Sequence, residues 1–141
     1  MVSLDNRVQR LCESARELNS HADKITDHIK RLEVQIREAG VGIVFYSDKP
    51  AIWGDDAKFY LGWDCGDEGW GFHYYVKSDS APFEPEARRL LKAKRAFRVS
   101  LYRGLGELVD TLQEHILNEA EELSHSLADL EKAVANQEAR S

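Results

Sequence analysis

The chain is poor in several things that would announce a function. Cysteine occurs twice, at Cys12 and Cys65, too seldom for a disulfide framework or a structural zinc site. Proline and glycine are missing altogether from residues 3–39. No apolar run approaches the ~20 residues of a membrane span, and the opening MVSLDNRVQR has no signal-peptide core, so a cytoplasmic protein without membrane contact is expected. Positive charge is in deficit: nineteen Lys and Arg against twenty-five Asp and Glu give a net charge of -6, which argues against a general nucleic-acid coat. Neither G-x-G-x-x-G after a strand nor G-x-x-x-x-G-K-[ST] occurs, which removes the usual nucleotide cradles. What remains, at 141 residues with 43% hydrophobic and 31% charged, is a single domain with enough apolar material for a core.

Architecture is far more legible than chemistry. Through residues 3–39 the apolar positions Leu4, Val8, Leu11, Ala15, Leu18, Ala22, Ile25, Ile29, Leu32, Ile36 and Ala39 alternate in spacings of four and three without a fault. That is a heptad, with Leu or Ile at most d positions and Val, Ala or Ile at a. Ser3, Asp5 and Asn6 offer the N-cap, and Gly40 stands where a helix stops. The spacing predicts one helix over 1–40. A second long helix is predicted over 107–137, on Leu108, Leu112, Ile116, Ala120, Leu123, Leu127, Leu130 and Val134. Its spacing becomes heptad-like only towards the end, and Leu112 to Leu123 locally relaxes a left-handed supercoil.

Between them the pattern changes to a β-meander over 41–79. Val41–Tyr46, Lys58–Trp63 and Trp70–Val76 read as strands separated by turn residues, and Trp70, Phe72, Tyr74 and Val76 share one face. Pro82-Phe83-Glu84-Pro85 predicts a helix start. The stripe Leu90, Ala93, Phe97, Leu101 extends that helix over 84–103, with a break expected at Gly104 and Gly106. The fold class is α+β, the long helices returning on one another as an antiparallel stalk or bundle. Two helices alone cannot cover both stripes together with Val34, Val109 and Leu117, so a homodimer closing a four-helix bundle is expected.

Charge is unevenly spread: zero over 1–39, -4 over 40–83, +5 over 84–103 and -7 over 104–141. Arg88, Arg89, Lys92, Arg95 and Arg98 therefore form a basic face. It serves either an acidic partner or, more plainly, pairing with the acidic last helix, within a chain or across a dimer. Ten of the thirteen aromatics fall within the meander. Tyr46, Tyr60, Trp63, His73 and Tyr75 are its candidate partner-binding residues; if exposed, Trp63→Ala or Tyr75→Ala weakens partner capture, and if buried it unfolds the protein.

Catalytic signals are thin. A di-iron bundle needs two Glu-x-x-His motifs, and only Glu122 to His125 fits. His21 and His28, two helical turns apart, are too far separated for one side of a compact site. Cys65 sits in the acidic turn Asp64–Glu68, which discourages the thiolate, and His73 across the same hairpin lacks an orienting third group. The expectation is therefore a non-enzymatic interaction or accessory protein without cofactor or metal, self-associating and binding an unidentified protein through the β-head or the basic segment. One alternative is a small-molecule binder or enzyme with His73, Cys65, Tyr75 and Asp64 around a pocket between sheet and stalk. Another is a small acidic inhibitor or accessory factor of a nucleic-acid-handling complex, with nucleic acid itself not expected as a ligand.

Overall fold

The computed structural model describes residues 3–80 and 86–140; the helix start expected at Pro82-Phe83-Glu84-Pro85 lies outside the described residues. The protein is α+β, with three α-helices and an antiparallel sheet among the described residues. It divides into two compact units, Met1–Leu105 and Gly106–Ser141.

Helix α1 runs Leu4–Glu38. Of the three candidate caps, Ser3 does the capping, its Oγ accepting from the Asn6 N–H at 3.3 Å. At the other end Gly40 takes φ +77°. The Gly40 N–H then reaches the Arg37 carbonyl and the Val41 N–H reaches that of Ile36, the paired closure in which a left-handed glycine satisfies the last free carbonyls. Only Ala22, Ile29 and Glu33 of this helix are buried, and every residue from Leu4 to His21 is exposed.

The sheet is built on the hairpin β3 (Ala57–Gly66) and β4 (Gly69–Ser78), paired through ten rungs from Ala57 opposite Ser78 to Gly66 opposite Gly69. Gly69 turns the chain at φ +96°. Beyond β3 lie β1 (Phe45–Tyr46) and β2 (Ile52–Trp53), two short stretches pairing successive parts of the same edge. Val41–Tyr46, expected as one strand, pairs only over its last two residues, and Ile52–Trp53 pairs where a loop was expected. Beyond β4 lies β5 (Arg88–Arg89), opposite His73 and Tyr74.

β5 corrects the expectation of one continuous helix over 84–103. Arg88 and Arg89 complete the open edge of β4, a 3-10 turn follows at Leu90–Lys92, and α2 begins only at Arg95, running to Tyr102. Backbone pairing along a free sheet edge, which satisfies N–H and C=O groups that would otherwise lack partners, outweighs local helix propensity there. The expected break at Gly104 is present, and α3 follows as Leu105–Arg140.

The core of the first unit combines Ile29 and Ala22 of α1, Leu61 and Trp63 of β3, Phe72 and Tyr74 of β4, and Leu90, Ala93, Leu101 and Leu105. Rungs Leu61–Tyr74 and Trp63–Phe72 put four of these on one sheet face. On that face the Trp63 ring meets Phe72 edge-on at 5.3 Å and stacks on Trp70 at 6.5 Å, and Phe97 of α2 stacks on Phe59 at 5.3 Å. α2 is fastened to α1 by polar contacts. Arg95 holds Asn19 through the side-chain oxygen at 2.9 Å and the carbonyl at 2.8 Å, and Asp23 at 3.1 Å. The Tyr102 hydroxyl lies 2.8 Å from His28 Nδ1. In the second unit Leu108 and Leu112 of α3 are buried, while every residue from Leu117 to Arg140 is exposed.

Candidate functional site

Three places could carry function: the tyrosine face of the sheet, the cleft beside β5, and the exposed stripes of the long helices.

Tyr60 and Tyr75 form one rung of β3 and β4, so their side chains leave the sheet on the face opposite Leu61 and Trp63. Their rings stack at 4.9 Å, 15° from parallel, and Tyr46 joins Tyr75 at 5.3 Å. Tyr46 can lie flat there because position 62 is glycine: a Cβ at Gly62 would fall inside the Tyr46 ring. The Tyr46 hydroxyl donates to Asp64 Oδ2 at 2.6 Å. Burial, followed by that carboxylate, pushes the Tyr46 phenol well above its ordinary value; burial and the neighbouring Tyr60 push Tyr75 up as well. Of the head's candidate residues, then, Tyr46, Tyr60 and Tyr75 come together, half-buried.

Trp63 does not join them. It is 0% exposed, on the core face, with its indole N–H donating to the Val41 carbonyl at 2.9 Å, so it belongs to stability and not to a binding surface.

His73 is 5% exposed. It opens onto a cleft of about 570 Å³ together with Asp67, Glu68, Glu86, Arg88 and Lys94. Its Nδ1 lies 2.9 Å from the Gly71 carbonyl. A carbonyl only accepts, so Nδ1 is the donor in this contact. The Nε2 atom faces Gly66, where an added Cβ would sit 2.8 Å away. Cys65 does not approach this ring: it pairs with Trp70 while His73 pairs with Gly62, an odd offset that places the two on opposite sheet faces. Asp64, His73 and Tyr75 leave the sheet on one face and Cys65 on the other, and of the four only His73 lines the cleft, so they do not meet as one pocket.

The basic residues are largely occupied inside the first unit. Arg89 pairs with Glu33 at 2.9 Å, a carboxylate 1% exposed whose second oxygen accepts from the Phe72 N–H at 2.8 Å. Glu33 thus meets a β4 N–H next to the two rungs that β5 occupies. Gly71 makes the approach possible, since a Cβ there would stand 2.7 Å from Glu33 Oε2 and 2.9 Å from the Arg89 guanidinium carbon. Lys92 holds Glu68 at 2.6 Å, and its hydrogen bond and charge draw the Glu68 carboxyl below its ordinary value. Arg95 is spent on α1, and Arg98 donates to the carbonyls of Leu91 and Ala93 at 3.3 and 3.1 Å. Arg88 alone of these five is exposed without an ion pair among the described residues. The partners identified for Arg89, Lys92 and Arg95 are Glu33, Glu68, Asp23 and Asn19, residues of α1 and the β3–β4 turn.

The largest apolar exposure lies on the long helices. On α1 it includes Leu11 at 67% and Leu18 at 66%, with Leu4 and Val8; on α3, Leu123 at 67%, with Leu117, Leu127, Leu130 and Val134. Apart from Leu117, which flanks the stripe, these are heptad positions, and their spacing was visible in the sequence, but which half of each helix would be left open was not. Among the described residues no helix is long and apolar enough to cross a membrane. No family model matches this chain, and neither the curated proteins nor the solved structures searched contain a match.

Proposed function

We propose that the protein is a non-enzymatic interaction protein that works as a homodimeric helical scaffold, assembling through the exposed heptad stripes of α1 and α3 and presenting its β-head to a protein partner. One observation carries the reading: the head closes a core of its own, while the apolar heptad positions from Leu4 to Leu18 and from Leu123 to Val134 stand in solvent. Monomeric proteins rarely leave contiguous apolar stripes uncovered, and such stripes mark association surfaces. Heptad geometry narrows the kind of surface, because a and d residues are shaped to enter the holes of another helix. The internal engagement of Arg89, Lys92, Arg95 and Arg98 counts against a phosphate-binding role for the basic segment, and the head's tyrosine face is its best-formed aromatic surface.

Native mass spectrometry beside the denatured mass tests the reading. The expected result is twice the chain mass at micromolar concentration, falling to a single chain when Leu18 and Leu127 are both replaced by Glu, with the near-UV signal of the head retained. A wild-type protein that stays monomeric overturns it.

A second reading rests on His73 and the cleft beside β5. A buried imidazole with one nitrogen fixed by a carbonyl, in the wall of a cleft that Glu86, Arg88 and Lys94 also line, suits a small polar ligand. A stoichiometric small-molecule adduct in the same native spectrum, lost in His73→Phe, would favour it.

A further inference from the structure

We infer that the α1 seam of one copy is closed by the α3 seam of a second copy, the two helices running antiparallel. This rests on the homodimer reading above and specifies which surfaces meet. The exposed α1 positions are Leu4, Val8, Leu11, Ala15 and Leu18, occupying d, a, d, a and d of the heptad; those of α3 are Ala120, Leu123, Leu127, Leu130 and Val134, occupying a, d, a, d and a.

In an antiparallel pair each a layer meets a d layer of the other helix, and these two series match without remainder. Leu4 falls opposite the partner's Val134, Val8 opposite the partner's Leu130, and Leu11 opposite the partner's Leu127. Ala15 falls opposite the partner's Leu123, and Leu18 opposite the partner's Ala120. The two alanines never meet: each stands against a leucine, the small-against-large arrangement that fills a seam evenly.

Self-pairing of either seam fits less well. An antiparallel pair of α1 seams has two registers: one matches Leu4 with Ala15 and Val8 with Leu11 but leaves Leu18 without a layer, and the other matches Val8 with Leu18 and Leu11 with Ala15 but sets Leu4 against Ala22, which the core already buries. A pair of α3 seams brings together two segments that each carry Glu119, Glu121, Glu122, Asp129, Glu131 and Glu138 against only Lys132 and Arg140, and like charges at that spacing repel. It would also leave both α1 stripes in water. The exposed part of α1 is neutral, Arg7, Arg10 and Arg16 balancing Asp5, Glu13 and Glu17. The acidic α3 segment therefore meets less repulsion there than against itself. One two-fold arrangement closes both stripes of both copies, as an isologous dimer requires.

The test uses two full-length chains in a background with Cys12→Ser and Cys65→Ser, one carrying Ala15→Cys and the other Leu123→Cys, distinguished by isotopic mass. Each reduced chain is oxidised by dissolved oxygen alone as a control, and the two reduced chains are mixed, left to exchange and then oxidised together. The expected result is a disulfide-linked product containing one chain of each kind, formed at least tenfold more than either self-linked product. Only helices of different copies can give it, because each chain holds a single thiol. Self-linked Leu123→Cys in excess shows α3 against α3 and overturns the inference, as does a non-covalent dimer in the native spectrum that gives no mixed link. The homodimer reading survives both of those outcomes. A monomer in the native spectrum removes both together. Near-UV circular dichroism of each variant checks that the head is folded, which the exposure of both substituted positions favours.

Discussion

Single side chains in the head do work that their residue types alone do not announce. Glu33 is a core position of a charged type, tolerable only because it is paired with Arg89 and accepts from the Phe72 N–H. Removing one partner of such a buried pair strands the other charge, at a cost of about 3–5 kcal/mol. Glu33→Ala should therefore lower the urea-unfolding free energy by that order. Glu33→Gln, which keeps an acceptor for Phe72, should cost less. If Glu33→Ala proves as stable as wild type, the pair has no structural role. Tyr46 and Tyr75 make a pH prediction. Both phenols are raised in the folded state, so the folded protein holds their protons more tightly than the unfolded chain does. The associated stability is complete below the ordinary tyrosine value of about 10 and is lost as pH climbs through the raised folded values. Absorbance at 295 nm should show two tyrosines ionising late, with Tyr46→Phe removing one of them.

At the scale of elements, each long helix is two things in succession. α1 is a free stripe up to Leu18 and a core helix from Ala22 to Glu33. Ile29→Ala should cost about 2–5 kcal/mol at any protein concentration, measured by equilibrium unfolding. Leu18→Ala, made at an equally regular heptad position, should leave the dilute monomer nearly unaffected and show itself only as weaker association. The sequence made both helices readable through unbroken spacing and absent breakers, and it made Gly40 readable as a terminus. It also made the aromatic alternation of β4 readable. It did not distinguish the two halves of α1, because periodicity records that a face is apolar and not what covers it. The short strand at Arg88–Arg89 was hidden for a related reason: its conformation is imposed by the open edge of β4, which is distant in sequence. The burial of Trp63 follows from register, since shifting by one residue exchanges the two sheet faces.

For the whole molecule, stability and assembly should be linked by mass action. A protein whose native form binds another copy is stabilised in proportion to how far its concentration exceeds the dissociation constant. The Tm of the wild-type chain should rise as concentration increases from one to one hundred micromolar. That of the Leu18→Glu, Leu127→Glu double variant should stay constant. A wild-type Tm indifferent to concentration would count against self-association.

The head's core draws on none of the residues from Leu4 to His21, and this has an evolutionary consequence. Selection can rewrite the seam letter by letter without passing through an unfolded ancestor, because a change at Leu11 or Leu18 alters the choice of companion and leaves the β-head intact. After gene duplication, two such chains could drift from pairing with themselves to pairing only with each other through a few substitutions at these positions. The same sheet would then be carried into a new assembly.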